Sequence, residues 1–178
     1  MKTTATFHNL SFAEAKTYLF ATLFVAGNII LPQLAHLIPN GGPMLLPIYF
    51  FTLIAAYKYG IRTGMLTAVL SPVINSLLFG MPVAAMLPVI LIKSSLLAIA
   101  ASYARHFEER FARRSNSLKT FTCLVFVVLS YQIVGTLIEW GMVKDFFIAV
   151  QDFRIGLPGM ALQVIGGWLI LSTVNRRP

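Results

Sequence analysis

Hydrophobic residues in this chain come in long runs, separated by short segments that are polar or rich in proline and glycine. A run of about 20 such residues is long enough to cross a bilayer as a helix. The pattern predicts six helices, at about 11–36, 43–58, 61–79, 82–104, 118–141 and 157–174. Ser11 and Glu14 have capping-box spacing, which places the start of the first helix at Ser11. We therefore predict an all-α, polytopic membrane protein that forms a single six-helix domain.

The composition places the chain among membrane proteins. Hydrophobic residues make up 57% of its 178 positions and charged residues only 11%, whereas soluble domains average about 25% charged residues. The hydrophobic excess is spread over the whole length, so no segment is polar enough to form a soluble domain by itself. A net charge of +8 does not indicate nucleic-acid binding here, because the basic residues cluster between the apolar runs.

The basic residues also predict how the helices are oriented. Eleven of the 14 lysine and arginine residues lie in the N-terminus, the turn at 58–62, the loop at 105–119 and the C-terminus. The loops on the other side contain only Lys144 and Arg154. Because cytoplasmic loops are enriched in Lys and Arg, we expect six spans with both termini in the cytoplasm, in the inner (plasma) membrane.

Lys93 is the only charged residue in the apolar run from Pro82 to Tyr103. Its position places the ammonium group near the middle of the membrane. A charge at that depth costs at least about 2.5–3.5 kcal/mol, so such residues normally face a bundle interior or a wet cavity and have a partner. We expect Lys93 to line a substrate site. The structural alternative is a pair with Glu139 or with a backbone carbonyl.

Other polar residues of the spans and outer loops are further candidates. In the predicted orientation they lie in the outer half of the membrane or near mid-depth, whereas the inner halves of the helices are almost entirely apolar. This distribution predicts a cavity that opens outward and suits a small polar solute. The candidate substrate-binding residues are Lys93, Glu139, Asn75, Gln132, Gln163, His36, Asn40, Tyr49, Trp140 and Arg154.

The candidates within the spans also have structural interpretations. Gln132 lies seven positions before Glu139, on the same helix face, but Glu139 is close enough to the end of its span to reach the interface. Asn75 follows Pro72 and has the alternative of capping that interruption of the helix. For Gln163, an interhelical hydrogen bond is the commoner use of an intramembrane amide.

The candidates in and near the loops have similar alternatives. Tyr49 and Trp140 either stack on a ligand ring or are ordinary interfacial aromatic residues. His36 either touches the substrate or only makes the loop polar. Arg154 either pairs with Asp152 or gates the mouth of the cavity.

Small residues form a second pattern. Ala13, Thr17 and Ala21 repeat at every fourth position in the first helix, and a similar row begins at Gly60 and Gly64 in the third. Such strips allow helices to approach closely. We expect the glycine row to pack within the chain, whereas the first row is a candidate docking face for another subunit.

The chain lacks the motifs of several enzyme classes. It contains no P-loop, and no HExxH motif or Ser/His pair lies within the spans. The single cysteine, Cys123, lies in an apolar run, and no second His or Cys stands at metal-ligand spacing from His36. We therefore expect a protein that is not an enzyme and that has no metal site or cofactor of its own.

The segment at 39–106 resembles the substrate-binding S components of energy-coupling factor (ECF) transporters. The likeness consists of the proline-bounded turn at 39–43, the Gly60/Gly64 start of the third helix, Pro72 with Asn75, the sequences at 80–82 and 87–88, and the polar residue at 93. The resemblance implies a six-helix membrane protein that binds a vitamin or related small micronutrient from outside. A transmembrane T component and two cytoplasmic ATPases would drive release, so ATP is used by the partner subunits.

The resemblance also implies where ligand and partner bind. In S components the ligand is held by helices four to six and by the loop between helices one and two, where Lys93, Glu139, Gln163 and the turn at 36–42 stand in this chain. Many members carry an Ala-x-x-x-Ala motif in helix one that docks the T component; this chain departs from that motif and has only the Ala13/Thr17/Ala21 row there. It lacks the amino-terminal Met-His signature of the nickel and cobalt members, which implies an organic cargo.

Two other functions remain open from the residues. The first is a self-sufficient carrier or channel for a small polar solute, which needs no ATPase. The second is a membrane enzyme or scaffold in which Lys93 forms a purely structural pair.

Overall fold

The polypeptide folds into a bundle of helices. The structure, a computed structural model, describes residues 10–111 and 117–174, and these residues contain helices and no strands. The helices are α1 (Ala15–Ala35), α2 (Gly41–Leu45), α3 (Phe50–Tyr59), α4 (Ile61–Phe79), α5 (Leu87–Phe111), α6 (Ser117–Val143), α7 (Phe146–Ala149), α8 (Gln151–Ile155) and α9 (Leu157–Val174), with a 3-10 turn at Pro47–Tyr49. The prediction of an all-α protein is confirmed. Both chain termini and part of the predicted basic loop lie outside the described residues.

Four helices are long and apolar enough to cross a membrane. They are α1, α4, the part of α5 at Leu87–Glu108 and the part of α6 at Leu118–Val143, and α9 is a shorter apolar helix. Large apolar side chains such as Leu19, Leu77 and Phe126 are exposed on these helices. Such surfaces suit contact with lipid rather than with water, and the fold therefore indicates a membrane protein.

The predicted second helix, at about 43–58, is broken. It consists of α2, the 3-10 turn and α3, and Leu46 lies at the break in a left-handed conformation with φ of 46°. This conformation costs a non-glycine residue about 1–2 kcal/mol. Pro47 follows directly and has no N–H to continue a helix through this point.

The first helix begins at Ala15 instead of Ser11. The Ser11 backbone N–H nevertheless donates a hydrogen bond to Glu14 Oε1 at 3.0 Å, which is half of the predicted capping box. The chain makes a turn between these two residues before the helix starts.

The turns between the helices gather at two ends of the bundle. One end, formed by the segments at 36–46, 80–86 and 144–156, contains the cavity described below and is called the cavity end. At the opposite end, the Leu10 N–H donates to the carbonyl of Tyr59 at the C-terminus of α3. Because successive helices run back and forth between the two ends, residues that are far apart in the sequence lie at the same depth in the bundle.

The hydrophobic core lies between α3, α5, α6 and α9. Leu53, Leu97, Leu124 and Leu171 each come from a different one of these helices and are completely buried. As predicted, the glycine row of α4 packs within the chain, since a Cβ atom on Gly64 would lie 2.4 Å from the Cβ of Ala56.

Candidate functional site

A cavity of about 290 Å³ lies at the cavity end of the bundle. The break in the second helix forms one wall through residues 46–49, and the segment at 81–90 forms another. Pro32 of α1 lines the cavity as well, and most of the lining residues are apolar. Its volume lies just below the range of about 300–1,000 Å³ that small-molecule sites occupy. A small organic molecule therefore fits this space.

Lys93 and Glu139 form an ion pair that lines the cavity. Lys93 Nζ lies 2.6 Å from Glu139 Oε2, and the two side chains are only 1% and 4% exposed. Lys93 thus has the partner that a charge within an apolar run needs. Because removing one partner of a buried pair leaves an uncompensated charge at a cost of about 3–5 kcal/mol, the two residues depend on each other.

Gly135 makes room for the lysine. A Cβ atom on Gly135 would lie 2.7 Å from Lys93 Cγ, so a side chain at this position would collide with the stem of Lys93. Because Gly135 has no side chain, α6 can pack closely against α5 at this position, which is four residues before Glu139. The glycine and the carboxylate therefore position the ammonium group together.

Asn75 lines the cavity from α4. Its Nδ2 donates to the carbonyl oxygens of Asn28 at 3.0 Å and Ser71 at 2.8 Å. Two carbonyl partners identify this atom as the amide nitrogen and fix the orientation of the group. Asn75 Oδ1 is buried and has no hydrogen-bond partner in the described part of the chain. A buried acceptor without a donor costs about 1–3 kcal/mol, so this oxygen is poised to accept a hydrogen bond.

Asn28 joins α1 to two other helices and was missed in the sequence. Its Nδ2 donates to the hydroxyls of Thr52 at 3.0 Å and Ser71 at 3.1 Å, and its Oδ1 accepts from the backbone N–H of Phe51 at 3.1 Å. The Phe51 N–H lies in the first turn of α3, where no helical carbonyl is available. Asn28 therefore holds the broken helix that forms the cavity wall. The sequence does contain a feature that could have identified Asn28 as a candidate, because it is an amide within an apolar run, like Asn75.

Gln132 lies two turns before Glu139 on α6 and does not line the cavity. It is completely buried, and neither its amide nitrogen nor its amide oxygen has a hydrogen-bond partner among the described residues. The hydroxyl of Thr136, one turn further along α6, is also buried and has no hydrogen-bond partner among the described residues. The face of α6 that carries Glu139 thus remains polar for two turns inward of the cavity.

Gln163 and Tyr49 are linked through Tyr131. The Tyr131 hydroxyl donates to Gln163 Oε1 at 2.9 Å, which is the interhelical bond that was the structural alternative for Gln163. The Tyr131 ring lies 5.6 Å from the ring of Tyr49, centroid to centroid, and Tyr49 lines the cavity. Gln163 itself does not line it.

The turn after α1 forms part of the cavity mouth. His36 and Gly42 both line the cavity, and His36 Nε2 would lie 2.9 Å from a Cβ atom on Gly42. Asn40, between them, does not line the cavity; it is exposed and adopts the left-handed conformation of a turn, with φ of 58°. Of the loop candidates on this side, His36 is therefore the one that the structure brings to the cavity.

Two candidates at the other side of the mouth lie outside the cavity. Trp140 is exposed and contacts the ring of Phe146 edge-on. Arg154 is exposed and lines a separate depression, which shares Ile148 and Gln151 with the cavity. Arg154 therefore stands near the entrance. Its predicted pairing with Asp152 involves a side chain outside the described residues.

The small-residue row of α1 is largely covered by the chain itself. Thr17 is completely buried and Ala21 is 3% exposed, whereas Ala13 is exposed. The Thr17 hydroxyl donates to the carbonyl of Ser11, closing the turn before α1. The row therefore does not form a continuous exposed strip, and its role as a docking face stays a prediction.

A second buried polar cluster lies at the opposite end of the bundle. Glu108, on α5, accepts hydrogen bonds from the hydroxyls of Tyr57 on α3 and Thr120 on α6, the latter at 2.7 Å. The sequence places Glu108 in a charged loop, but the carboxylate is 4% exposed and joins three helices. It is separated from Lys93 by four turns of α5.

Comparisons of the chain with protein-family models, curated proteins and solved structures found no match. Within the described residues, no group of three or more His, Cys, Asp or Glu side chains is placed to hold a metal ion. The cavity and its polar groups are thus the features from which a function can be argued.

Proposed function

We propose that the protein is a membrane subunit that binds a vitamin or related small organic micronutrient and takes part in its uptake. The observation that carries this proposal is the cavity, an apolar space of about 290 Å³ that contains the Lys93–Glu139 pair. Small-molecule sites combine apolar walls with a few fixed polar groups in this way. The break at 46–49 adds support, since transporters commonly form their sites at discontinuous helices.

The proposed orientation has six spans with both termini in the cytoplasm, in the inner (plasma) membrane. The second span consists of α2, the 3-10 turn and α3, and the sixth is α9. Among the residues that the structure describes, most lysine and arginine residues, such as Lys58, Arg62 and Lys119, belong to the opposite end, whereas Lys144 and Arg154 lie at the cavity end. Under the positive-inside rule the cavity then faces the exterior.

Release of the ligand is proposed to need a partner. Between the ion pair and the opposite end, α5 and α6 contribute completely buried apolar side chains such as Leu97, Ala101 and Leu124. Such packing favours a binding protein over an open channel. Together with the resemblance of residues 39–106 to S components, it supports an ECF-type assembly in which a T component and two ATPases supply the energy.

The ion pair itself favours a second candidate, a scaffold without a ligand. A contact of 2.6 Å between Lys93 and Glu139 is also what a purely structural link between α5 and α6 requires. Removing both charges separates the two candidates. A buried ion pair can often be replaced by apolar residues without loss of stability, and sometimes with a gain of about 1–4 kcal/mol.

The test compares three proteins purified in lipid nanodiscs. They are the wild type, the double variant Lys93→Met/Glu139→Leu and a control, Lys119→Met, in which an exposed lysine on α6 is replaced. We expect mass spectrometry to find a co-purified small molecule with the wild type and the control and to find it depleted in the double variant, while all three keep similar melting temperatures. Equal amounts of the same molecule on all three proteins would overturn the assignment of the cavity as its site.

The need for a separate energy source has its own test. Vesicles containing the purified protein alone should bind the identified molecule without accumulating it. Accumulation by the protein alone, without ATP, would favour the self-sufficient carrier over the proposed S component.

A further inference from the structure

The charges that line the cavity neutralise each other. Lys93 and Glu139 are in contact at 2.6 Å, and both side chains are almost completely buried. Among the described residues that line the cavity, the only other titratable side chains are Tyr49 and the exposed His36 at the mouth. A ligand with a single charge would add a third charge to a neutral pair and leave one of the three uncompensated. Burying an unpaired charge is strongly unfavourable.

The polar group best placed to meet a ligand is therefore a neutral acceptor. Both hydrogen bonds from the Asn75 nitrogen go to backbone carbonyls, and Asn75 is one of the residues that line the cavity. This oxygen is buried and has no donor among the described residues. Since the amide is held from two directions, it cannot turn to offer its nitrogen instead.

The walls of the cavity restrict the rest of the ligand. Leu46, Met86, Val89 and Ile90 contribute apolar surface on two sides. An apolar body gains from contact with such walls, whereas a strongly hydrated one loses its water without replacement.

We infer, on the basis of the proposed function, that the ligand is an uncharged molecule with an apolar body and at least one N–H or O–H group that donates to Asn75 Oδ1. Amides, ureas, ring N–H groups and alcohols meet this description, and carboxylates and amines that are ionised at neutral pH do not. The Lys93–Glu139 pair then selects against charged molecules and remains intact when the ligand binds. The polar group of the ligand meets this pair as well as Asn75, so that the loss of both charges in Lys93→Met/Glu139→Leu weakens binding.

The experiment uses three probes of similar size and different charge. They are 3-phenylpropanamide, 3-phenylpropanoate and 3-phenylpropylamine, and their binding to the protein in nanodiscs is measured by saturation-transfer NMR titration. Two tryptophan variants control for partition into lipid. Met86→Trp fills the cavity, whereas Leu77→Trp places the same ring on the exposed face of α4. Only binding that is lost in Met86→Trp and kept in Leu77→Trp is counted.

We expect the amide to bind at least about tenfold more tightly than either charged probe, because each charged probe must bury an unpaired charge. In Glu139→Gln, where the lysine has lost its anionic partner, the preference should shift toward 3-phenylpropanoate by about tenfold or more. Wild-type preference for a charged probe, or an unchanged preference in Glu139→Gln, would overturn the inferred ligand class while leaving the cavity as the site. Failure of all three probes to show cavity-dependent binding would overturn both the ligand class and the proposed site.

Discussion

Gly135 sets the distance between α6 and the side chain of Lys93. The position of the ammonium group is fixed at both ends of the side chain, by the glycine against Cγ and by Glu139 at Nζ. A methyl group at position 135 would have to push the stem of the lysine aside or separate the two helices. Either movement lengthens the contact with Glu139.

A comparison of two glycines on α6 tests this arrangement. We expect Gly135→Ala to lower the melting temperature and to weaken ligand binding by about tenfold, because overpacking at a buried site typically costs 1–3 kcal/mol. Gly141→Ala is the matched control, since nothing lies within 4 Å of a Cβ atom there. It should leave binding unchanged and, if anything, raise stability through the higher helix propensity of alanine. Thermal unfolding and ligand titration in nanodiscs give both quantities; equal effects of the two substitutions would contradict the packing role of Gly135.

The sequence identifies Lys93 because the cost of an isolated charge in hydrocarbon does not depend on the tertiary fold. It also offers Glu139 as the partner, which the ion pair confirms. Asn28 shows where such reasoning stops. The amide of Asn28 is useful only because Phe51, Thr52 and Ser71 meet at it, and that meeting is a property of three packed helices. The sequence around Asn28 does not distinguish its amide from any other amide in an apolar run.

At the scale of elements, the broken second helix determines the shape of the cavity. Pro47 is the fifth residue of the predicted helix, beyond its first turn, where a proline removes a helical hydrogen bond and can kink or break the helix. The sequence does not show whether the result is a mild kink or a complete break. The break requires the left-handed Leu46 and a partner for the first N–H groups of α3, which Asn28 provides. The prediction of one helix at 43–58 was therefore wrong at a position that Pro47 marks in the sequence, whereas the geometry of the break depends on tertiary contacts.

Removing the Asn28 side-chain amide should loosen this element. In Asn28→Leu the Phe51 N–H loses its side-chain acceptor, and the hydroxyls of Thr52 and Ser71 lose a donor. We expect a loss of about 1–3 kcal/mol in unfolding free energy together with weaker ligand binding. Gln33→Leu, at a partly exposed amide of the same helix, controls for the change from amide to leucine. Hydrogen exchange of the α3 amides is the direct measurement. Unchanged protection at the start of α3 in Asn28→Leu would contradict the proposed anchoring.

At the scale of the whole molecule, function depends on which side of the membrane the cavity faces. The hydrophobic pattern predicts a helical membrane protein because apolar length alone decides whether a helix can span. The cavity itself was predicted only in outline, since polar residues such as Gln132 and Gln163 lie at the expected depth but do not line it. Depth along a helix can be read from a sequence, whereas the direction of a side chain around the bundle depends on how the neighbours pack.

The two ends of α6 provide the test of orientation. Since Cys123 is the single cysteine, Cys123→Ser gives a background without thiols, to which Lys144→Cys at the cavity end and Lys119→Cys at the opposite end are added separately. Both lysines are exposed.

The positive-inside rule predicts that a membrane-impermeant maleimide labels Lys144→Cys on intact cells and labels Lys119→Cys only after permeabilisation. The background variant should stay unlabelled in both conditions. The reverse pattern would turn the cavity toward the cytoplasm, and a protein that captures solutes from outside would then have its site on the wrong side of the membrane.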